Sequence, residues 1–163
     1  EDALTIREHG VIRPMLDLLM AEKYPGKLRN AELKVSLPVE GLSVPIIGYI
    51  DLEFDNDSFI ELKTTMRMPS SPKEDHVMQA AFYATALKQP GSILYASNKK
   101  TSLFPIGDNQ VKKSFTELKR LAFALQNLLG KFSSPKTAIQ SLPMNTNDYR
   151  WSESATIELE KYL

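Results

Sequence analysis

The chain has 163 residues, 42% of them hydrophobic, which is enough material for one folded domain with a buried core. Its 20 Lys and Arg balance its 20 Asp and Glu, and this net charge of zero excludes a strongly basic coat protein and an acidic tail. The absence of Cys excludes disulfides, thiolate zinc sites, iron–sulfur clusters and a cysteine nucleophile. No apolar run reaches the roughly 20 residues of a membrane-spanning helix, and Glu1–Leu4 show no signal-peptide pattern, so we expect a cytoplasmic protein that does not bind membranes.

The first part of the chain predicts one helix and three strands. Apolar residues recur on one helical face over Leu4–Tyr24, although Pro14 predicts a kink or a division into two shorter helices. Alternating apolar and polar residues then predict strands, with Asp55-Asn56-Asp57 as the turn between the second and the third. These strands are Glu32–Val39, Val44–Phe54 and Phe59–Thr64.

The middle of the chain predicts a helix followed by two short strands. After a polar loop over Met66–Ser71, the residues Ser71, Pro72 and Glu74 fit a capping box, in which Ser71 is the N-cap and Pro72 is the first helical residue. The helix should end at about Lys88, before a Pro-Gly pair. The strands are expected at Ser92–Ser97 and Thr101–Ile106.

The last part of the chain predicts one long helix and a helical extension. Gln110–Leu129 has an apolar stripe at helical spacing, and Gly130 fits the position that follows a helix end. Ser133–Tyr149 is expected to be rich in loops. Ser152 is expected to cap a short final helix that ends at Leu163.

Together, these elements predict a mixed α/β fold of the order αβββαββα, with a central mixed sheet flanked by helices. No internal repeat or low-complexity tract interrupts the chain. We therefore expect a single domain over residues 1–163, with its core motifs at 32–97 and a C-terminal helical extension at about 110–163.

The predicted second and third strands form a hairpin that brings acidic residues together. With the turn centred on Asn56, Asp51 lies opposite Glu61. Opposed carboxylates have Cβ atoms about 4.5–5.5 Å apart and repel each other unless a cation lies between them, and Mg²⁺ prefers such oxygen ligands. Lys63 would orient or deprotonate a water, or neutralise charge that develops on a phosphate. The acidic face comprises Asp51, Glu53, Glu61 and Lys63, and the apolar face comprises Ile50, Leu52, Phe54, Ile60 and Leu62.

Both this hairpin and the helix that follows it have an alternative structural interpretation. A hairpin with one face in solvent shows the same alternation of apolar and charged residues. On the helix, His76, Gln79 and Tyr83 are spaced i, i+3 and i+7 and so project from one face. Gln79 is a candidate for binding a nucleic-acid strand or a phosphate-bridging water, and Tyr83 for stacking on a base or bonding a phosphate. The alternative is that Tyr83 is a half-buried core residue with Gln79 as its hydrogen-bond partner.

Three motifs in strand–strand–helix order resemble those of the RecB-type exonuclease branch of the PD-(D/E)XK nuclease superfamily. They are Gly48-x-x-Asp51, Glu61-Leu62-Lys63 and Gln79-x-x-x-Tyr83. The match covers Glu32–Ser97, and Glu32 corresponds to an acidic residue often found where the first strand of this family begins. The order of helices and strands also resembles a PD-(D/E)XK restriction-endonuclease-like core.

Within that family, the sequence is similar to small, stand-alone, phage-type members, because it has neither Cys for an iron–sulfur cluster nor a helicase motor. It departs from many members in the first helix, where they have a metal-binding His after a Gly-x-x-x spacing. Here Gly10-Val11-Ile12-Arg13 is followed by Pro14, and His9 lies off the spacing. We therefore expect His9 to be a surface residue.

The resemblance implies a deoxyribonuclease that needs Mg²⁺ or Mn²⁺ and hydrolyses phosphodiester bonds, as an exonuclease on single-stranded ends with 5′–3′ polarity. It implies that Asp51 and Glu61 hold one or two ions together with the main-chain carbonyl of Leu62, and that Glu32 is an additional candidate ligand. It further implies that Lys63 helps to activate the attacking water. The residues expected to support the site or contact DNA are Gln79, Tyr83, Thr64, Thr65, Arg67, Lys73 and His76.

The resemblance also implies single-stranded DNA and a single-strand-binding or annealing protein as partners. It implies a role in DNA recombination or repair in the cytoplasm of a bacterium or a phage-infected cell, with an organelle as the alternative. Two other functions stay open, an endonuclease of the same fold specific for a DNA structure or sequence, and a non-catalytic nucleic-acid-binding module. A closed circular substrate separates the exonuclease from the endonuclease, and the combination of Asp51, Glu61 and Lys63 argues against the non-catalytic module.

Overall fold

Helices and strands follow one another along the part of the chain that the computed structural model describes, which is residues 6–141, 154 and 157. The helices are α1 (Ile6–Ala21), α2 (Glu74–Leu87), α3 (Asp108–Leu129) and α4 (Pro135–Ser141). The strands are β1 (Leu28–Leu37), β2 (Ile46–Phe54), β3 (Phe59–Thr64), β4 (Gly91–Ala96) and β5 (Thr101–Pro105). Through α3 this is the predicted order, and α4 follows it in a segment that was expected to be rich in loops.

The strands form one mixed sheet in the order β1-β2-β3-β4-β5, which confirms the predicted mixed α/β class. Neighbouring strands are antiparallel, except that β3 and β4 are parallel. Parallel neighbours need a crossover connection, and α2 supplies it here. Because α2 packs against β4 and β1, it covers the face of the sheet from which β3 projects its charged side chains.

The central strand β3 is buried on both faces. On the α2 face, Phe59 packs in one hydrophobic cluster with Ile93 of β4 and Val77 of α2. On the opposite face, Ile60 packs in a second cluster with Leu94 of β4, and the last turn of α1 lies against that cluster. The sheet is therefore a layer with helices on both sides. The charged residues of β3 lie on an interior strand and not on an edge of the sheet.

The predicted apolar face of the β2–β3 hairpin is wrong at one residue. Leu52 and Phe54 share a cluster with β3 residues on the α1 side, as predicted. Ile50 instead packs in the cluster on the α2 side. Residues two apart on a regular strand share a face, so β2 departs from regular alternation between Ile50 and Leu52, at Asp51.

Helix α2 begins later than the sequence predicts. Its N-cap is Lys73, which has an extended backbone and no side-chain capping bond. The N–H of Val77 donates to the carbonyl of Lys73 at 3.0 Å, whereas the N–H of Lys73 donates to the Tyr95 hydroxyl on β4 at 3.1 Å. The predicted capping box, which starts at Ser71, is therefore wrong, because a contact with the sheet fixes the start of the helix.

Several other boundaries differ from the predicted ones. Helix α1 is one helix with Pro14 inside it, not two. Strand β1 begins at Leu28, well before the predicted start at Glu32, while β3 has the predicted bounds. Most of the predicted final helix from Ser152 to Leu163, and the end of the predicted loop before it, lie outside the described residues. The structure describes positions 154 and 157 there, and both are helical.

By its internal contacts the chain divides into two compact units, Glu1–Arg120 and Leu121–Leu163, with the boundary inside α3. The first unit contains the whole sheet, α1 and α2, and all the candidate site residues. The single domain over residues 1–163 stays a prediction. Over residues 6–141, 154 and 157, no helix combines the length and the apolar character needed to cross a bilayer.

Candidate active site

Asp51 lies where β2 and β3 stop pairing through their backbones. The ladder reaches Leu52↔Ile60, and continuing this register places Asp51 opposite Glu61, as the sequence predicts. At this point a side chain replaces the ladder, because Oδ2 of Asp51 accepts the backbone N–H of Leu62 at 2.7 Å. The Asp51 carboxylate is therefore held between the two strands, next to the carboxylate of Glu61.

Glu61 is a buried carboxylate with one unsatisfied oxygen. Its residue surface is 1% exposed, and Oε1 accepts a bond from Nζ of Lys63 at 2.7 Å. Its buried Oε2 has no hydrogen-bond partner among the described residues. Burial raises the pKa of Glu61 to about 7, the bond from Lys63 opposes this rise, and the charge of Asp51 adds to it. Since a solvated hairpin face would leave this carboxylate in water, the solvated-face interpretation is wrong.

Lys63 connects β3 to α2 through a chain of hydrogen bonds. Its Nζ donates to Oε1 of Glu61 at 2.7 Å and to Oε1 of Gln79 at 2.9 Å. Nε2 of Gln79 donates to the Tyr83 hydroxyl at 3.2 Å. That hydroxyl donates to the carbonyl of Tyr49 at 2.7 Å and accepts the N–H of the same residue at 3.1 Å. The chain of bonds therefore runs from the acidic pair through α2 and back to β2.

Tyr83 supports the site from inside the protein. It is 1% exposed, and its ring packs edge-on against Phe59 with centroids 6.0 Å apart. The prediction that a base stacks on it is therefore wrong, and the core interpretation with Gln79 as its partner is confirmed. Burial raises the pKa of Tyr83, so its hydroxyl stays a neutral donor. Gly48 of β2 makes room for it, since a Cβ there would lie 2.7 Å from Cε1 of Tyr83.

His76 is bonded to a residue that the sequence analysis did not single out. Its Nδ1 lies 2.6 Å from the hydroxyl oxygen of Tyr95 on β4, and burial lowers the pKa of His76. Tyr95 pairs in register with Lys63 on the neighbouring parallel strand. The available signal was the strand–helix–strand order, because such a unit makes β3 and β4 parallel neighbours and so places Tyr95 beside Lys63.

The other candidate DNA contacts lie between the end of β3 and the start of α2. Thr64 is exposed at the last position of β3, and Arg67 is exposed in the loop that follows. Between them, Oγ1 of Thr65 donates to the carbonyl of Arg67 at 2.8 Å, so this hydroxyl stabilises the loop. Lys73 is exposed at the N-cap of α2. Their contacts with DNA stay predictions.

Glu32, the additional candidate ligand, is exposed on β1. Its neighbours on β1 pair with the residues on either side of Asp51, so its backbone lies beside Asp51. Its φ of 53° is in the left-handed region, which is uncommon for a residue other than glycine. The role of Glu32 as a ligand stays a prediction.

Glu53 shows that the predicted acidic face contains two different kinds of carboxylate. Glu53 is 5% exposed, but its Oε2 accepts a bond from Asn30 at 2.6 Å and its Oε1 accepts one from Gln89 at 3.4 Å. The guanidinium of Arg29 lies 3.5 Å from Oε1 as well. Glu53 is therefore a buried acid with partners on both oxygens, whereas Glu61 has an oxygen to which no described residue is bonded.

The donors at Asp51 and Glu61 fit a hard divalent cation. Within the described residues, no group of three or more His, Cys, Asp and Glu side chains is placed to hold a metal. Two carboxylates are nevertheless enough for Mg²⁺, which commonly binds through one or two carboxylates and keeps several waters. The unsatisfied Oε2 and the raised pKa of Glu61 both indicate that a positive charge is favourable here. The carboxylates of Asp51 and Glu61 therefore fit Mg²⁺, while the main-chain carbonyl of Leu62 stays a predicted ligand.

Two solved structures resemble this fold at low sequence identity. A protein from Eubacterium rectale, named "putative exonuclease", shares 11% identity and a TM-score of 0.57, over 82% of this chain and 60% of that chain. A protein named SSO0001 shares 19% identity, over 60% of this chain and 50% of that chain, and its TM-score of 0.45 supports no argument. The sequence matches no protein-family model and no curated protein. The chain thus spans 60% or less of these two proteins, and the first of them shares its mixed α/β fold.

Proposed function

We propose that the protein is a metal-dependent deoxyribonuclease of the RecB-type branch of the PD-(D/E)XK superfamily, acting as an exonuclease. The observation that supports this most directly is the environment of Glu61, which is buried close to Asp51 and Lys63 and has one oxygen without a partner in the described part of the chain. Burying an unpaired charge is costly, and a divalent cation at this position would remove that cost. The likeness to the structure named "putative exonuclease" supports the nuclease class.

Asp51 and Glu61 would hold Mg²⁺ or Mn²⁺, with the carbonyl of Leu62 and the side chain of Glu32 as further ligands. The ion would supply polarisation of the scissile phosphate and a lowered pKa of a bound water. The fold contributes the position of these ligands, because the bond from the Leu62 N–H fixes Asp51 and the bond from the Lys63 ammonium fixes Glu61.

Lys63 would provide a fixed positive charge at the reacting phosphate and orient the attacking water. Its ammonium is held between Glu61 and Gln79, at 2.7 and 2.9 Å. Donors that are already aimed where negative charge develops stabilise a transition state more than mobile ones do. Gln79 and Tyr83 would act as positioning residues for this ammonium, through the bond between them at 3.2 Å.

The proposed substrate is the end of a single-stranded DNA, degraded from 5′ to 3′. Phosphate contacts from the end of β3 and the start of α2 would position the strand without reading its sequence. The residues proposed for them are Thr64, Thr65, Arg67 and Lys73. A single-strand-binding or annealing protein would be the partner, in the cytoplasm of a bacterial or phage-infected cell. Polarity, substrate and partner rest on the resemblance to the family.

Cleavage of linear and circular DNA tests the proposal. Purified protein is incubated with 5′-labelled and 3′-labelled single strands and with closed circular single strands, each in Mg²⁺, Mn²⁺ or EDTA. We expect linear strands to disappear with either metal, circles to stay intact, and the two labels to show loss from the 5′ end. Cleavage of the circles would indicate an endonuclease. If every substrate stays intact in every condition, the proposal that the protein is a nuclease is wrong.

Lys63→Ala is the matched inactive variant, with Lys34→Ala at an exposed position of β1 as its control. Removing one preorganised donor to a developing charge costs roughly 10²–10³-fold in rate. We expect that loss for Lys63→Ala, with DNA binding retained, and an unchanged rate for Lys34→Ala. Undiminished cleavage by Lys63→Ala would remove Lys63 from the mechanism.

A further inference from the structure

His76 and Tyr95 form a hydrogen-bonded pair beside the candidate active site. Tyr95 is 1% exposed on β4 and pairs in register with Lys63 on β3. Its hydroxyl oxygen lies 2.6 Å from Nδ1 of His76 and also accepts the backbone N–H of Lys73 at 3.1 Å. The position of the pair is therefore fixed both by the sheet, which contains Tyr95, and by the start of α2, whose N-cap is Lys73.

These contacts determine which nitrogen of a neutral His76 has the hydrogen. A tyrosine hydroxyl has one hydrogen to donate, and its bond from the Lys73 N–H uses the oxygen as an acceptor. Among the described residues, the one acceptor bonded to the Tyr95 hydroxyl is Nδ1 of His76. A buried hydroxyl that leaves its hydrogen unbonded is destabilising. The favoured arrangement therefore has Nδ1 as the acceptor and the hydrogen on Nε2.

Nε2 of His76 is accessible and does not take part in the bond to Tyr95. The side chain is 21% exposed, and within the described residues Nε2 makes no hydrogen bond, since Oδ2 of Asp75 lies 3.9 Å away. Charges of both signs act on the ring, first that of the exposed Asp75 and then those of the Lys63 and Lys73 ammonium groups. An accessible N–H donor without a hydrogen bond among the described residues matches an anionic oxygen, and a hydrogen bond to a charged acceptor is a strong one.

We propose that Nε2–H of His76 donates a hydrogen bond to a backbone phosphate of the bound strand, next to the phosphate that is cleaved, and that Tyr95 is the positioning residue that keeps the hydrogen on Nε2. The inference rests on the proposed function, which supplies the strand. It assigns His76 to strand binding and not to proton transfer, because its Nδ1 is already occupied by Tyr95.

Nitrogen-15 NMR of the histidine rings tests the tautomer without DNA or metal. The chain has 2 His, and a His9→Gln variant identifies the signals of His76. We expect a protonated Nε2 and an unprotonated Nδ1 in the wild-type protein, and a mixture of tautomers in Tyr95→Phe. A wild-type protein with the hydrogen on Nδ1, or the same tautomer populations in Tyr95→Phe, would overturn the assignment of Tyr95.

Two substitutions of His76 test the phosphate contact. The amide of Asn reaches the position of Nδ1, whereas the amide of Gln reaches that of Nε2. In EDTA, we expect His76→Asn to weaken binding of a labelled single strand by about tenfold, the value of one hydrogen bond to a charged group, and His76→Gln to stay within about twofold of wild type. Equal losses for the two variants, or a wild-type protein that binds no strand, would overturn the contact.

Single methylphosphonates, which lack the anionic oxygen, identify the phosphate. We expect one position at which the methylphosphonate weakens binding to the wild-type protein. At that position, His76→Asn should bind the modified strand as well as it binds the unmodified one. Additive losses at every position would overturn the inference. Strands with a 5′-phosphate and a 5′-hydroxyl separate a backbone phosphate from a terminal one, and a loss confined to the 5′-phosphate strand would also overturn it.

The outcomes separate this inference from the proposed nuclease. If the wild-type protein cleaves DNA but the His76→Asn and His76→Gln variants bind the strand equally well, the proposed nuclease stands and the role of His76 is wrong. If the protein never cleaves DNA but the effects of His76→Asn and of one methylphosphonate are not additive, the proposed nuclease is wrong and the binding role of His76 stands.

Discussion

The Asp51 carboxylate accepts the backbone N–H of Leu62 at 2.7 Å, across the point where two neighbouring strands separate. A backbone N–H that leaves its ladder needs another acceptor when it is buried from water. Asp51 provides that acceptor, and in return the bond fixes its carboxylate beside Glu61. The same side chain therefore completes the sheet and is a proposed metal ligand, and the two roles can be separated by substitution.

Asp51→Asn should keep the fold and lose the activity, whereas Asp51→Ala should damage both. The amide oxygen of Asn can still accept the Leu62 N–H, but the charge for the metal is absent. Ala leaves that N–H without a partner, at a cost of about 1–3 kcal/mol. Urea denaturation in EDTA measures the stability, and cleavage of labelled strands measures the activity. Equal stability of the two variants would contradict the structural role of Asp51.

Glu61→Gln should abolish stabilisation by Mg²⁺, whereas Glu53→Gln should preserve it. Both are buried carboxylates of the same hairpin, but Glu53 already has hydrogen-bond partners on both oxygens. A cation that binds the folded state raises the free energy of unfolding by RT ln(1 + [L]/Kd). Melting temperatures measured over a Mg²⁺ titration reveal the difference. A loss of the response in Glu53→Gln as well would mean that the two acids belong to one site.

Without metal, the protein should lose stability as the pH rises from about 4.5 to about 7. Burial raises the pKa of Glu61 from its ordinary value of 4.5 to about 7. The folded protein therefore keeps this proton in a range where the unfolded chain has released it. The stabilisation is complete below the lower pKa and is lost as the pH passes the higher one, for a total of up to about 3 kcal/mol.

Urea unfolding in EDTA at about pH 5 and about pH 8 measures this effect, with Glu61→Gln as the comparison. Gln has no proton to release, so the variant should lose less stability between the two pH values than the wild-type protein does. The same pH dependence in both proteins would show that other groups cause it. Mg²⁺ should reduce the loss in the wild-type protein, because it favours the ionised carboxylate.

Gly48→Ala should destabilise the protein by about 1–3 kcal/mol, because the added Cβ would overlap Tyr83 and Phe82. The distances from it would be 2.8 Å to the Tyr83 hydroxyl and 2.9 Å to Cε1 of Phe82. A shift of Tyr83 would break its bonds to Tyr49, so cleavage should fall as well. Gly107→Ala, where no described residue lies within 4 Å of the added Cβ, is the control and should change stability by less than about 0.5 kcal/mol. Equal urea midpoints for the two variants would contradict this role of Gly48.

Local patterns predicted the central strand and its register, because β3 is bounded by turn residues and the turn fixes the pairing. The opposition of Asp51 and Glu61 follows from that register. The patterns did not predict that Glu61 is buried, because burial depends on α2 and β4, which cover β3 from elsewhere in the chain. Its missing partner and raised pKa are therefore properties of the folded protein alone.

The wrong predictions also trace to contacts between distant residues. The capping box at Ser71 is a sound local pattern, but the bond that the Lys73 N–H donates to the Tyr95 hydroxyl fixes the start of the helix instead. Ile50 packs on the unpredicted face because β2 changes its alternation at Asp51, where a side chain replaces a backbone partner. Tyr95 itself lies in an apolar strand, and nothing local distinguishes it from a core residue.

The two bonds that Lys63 makes to Glu61 and Gln79 have a consequence for how quickly the site can act. A free lysine side chain loses up to about 2 kcal/mol of rotamer entropy when it is immobilised. Here the protein bears that loss when it folds, long before a substrate arrives. The ammonium is therefore already in place when a DNA strand binds, and none of the binding energy is needed to immobilise this side chain.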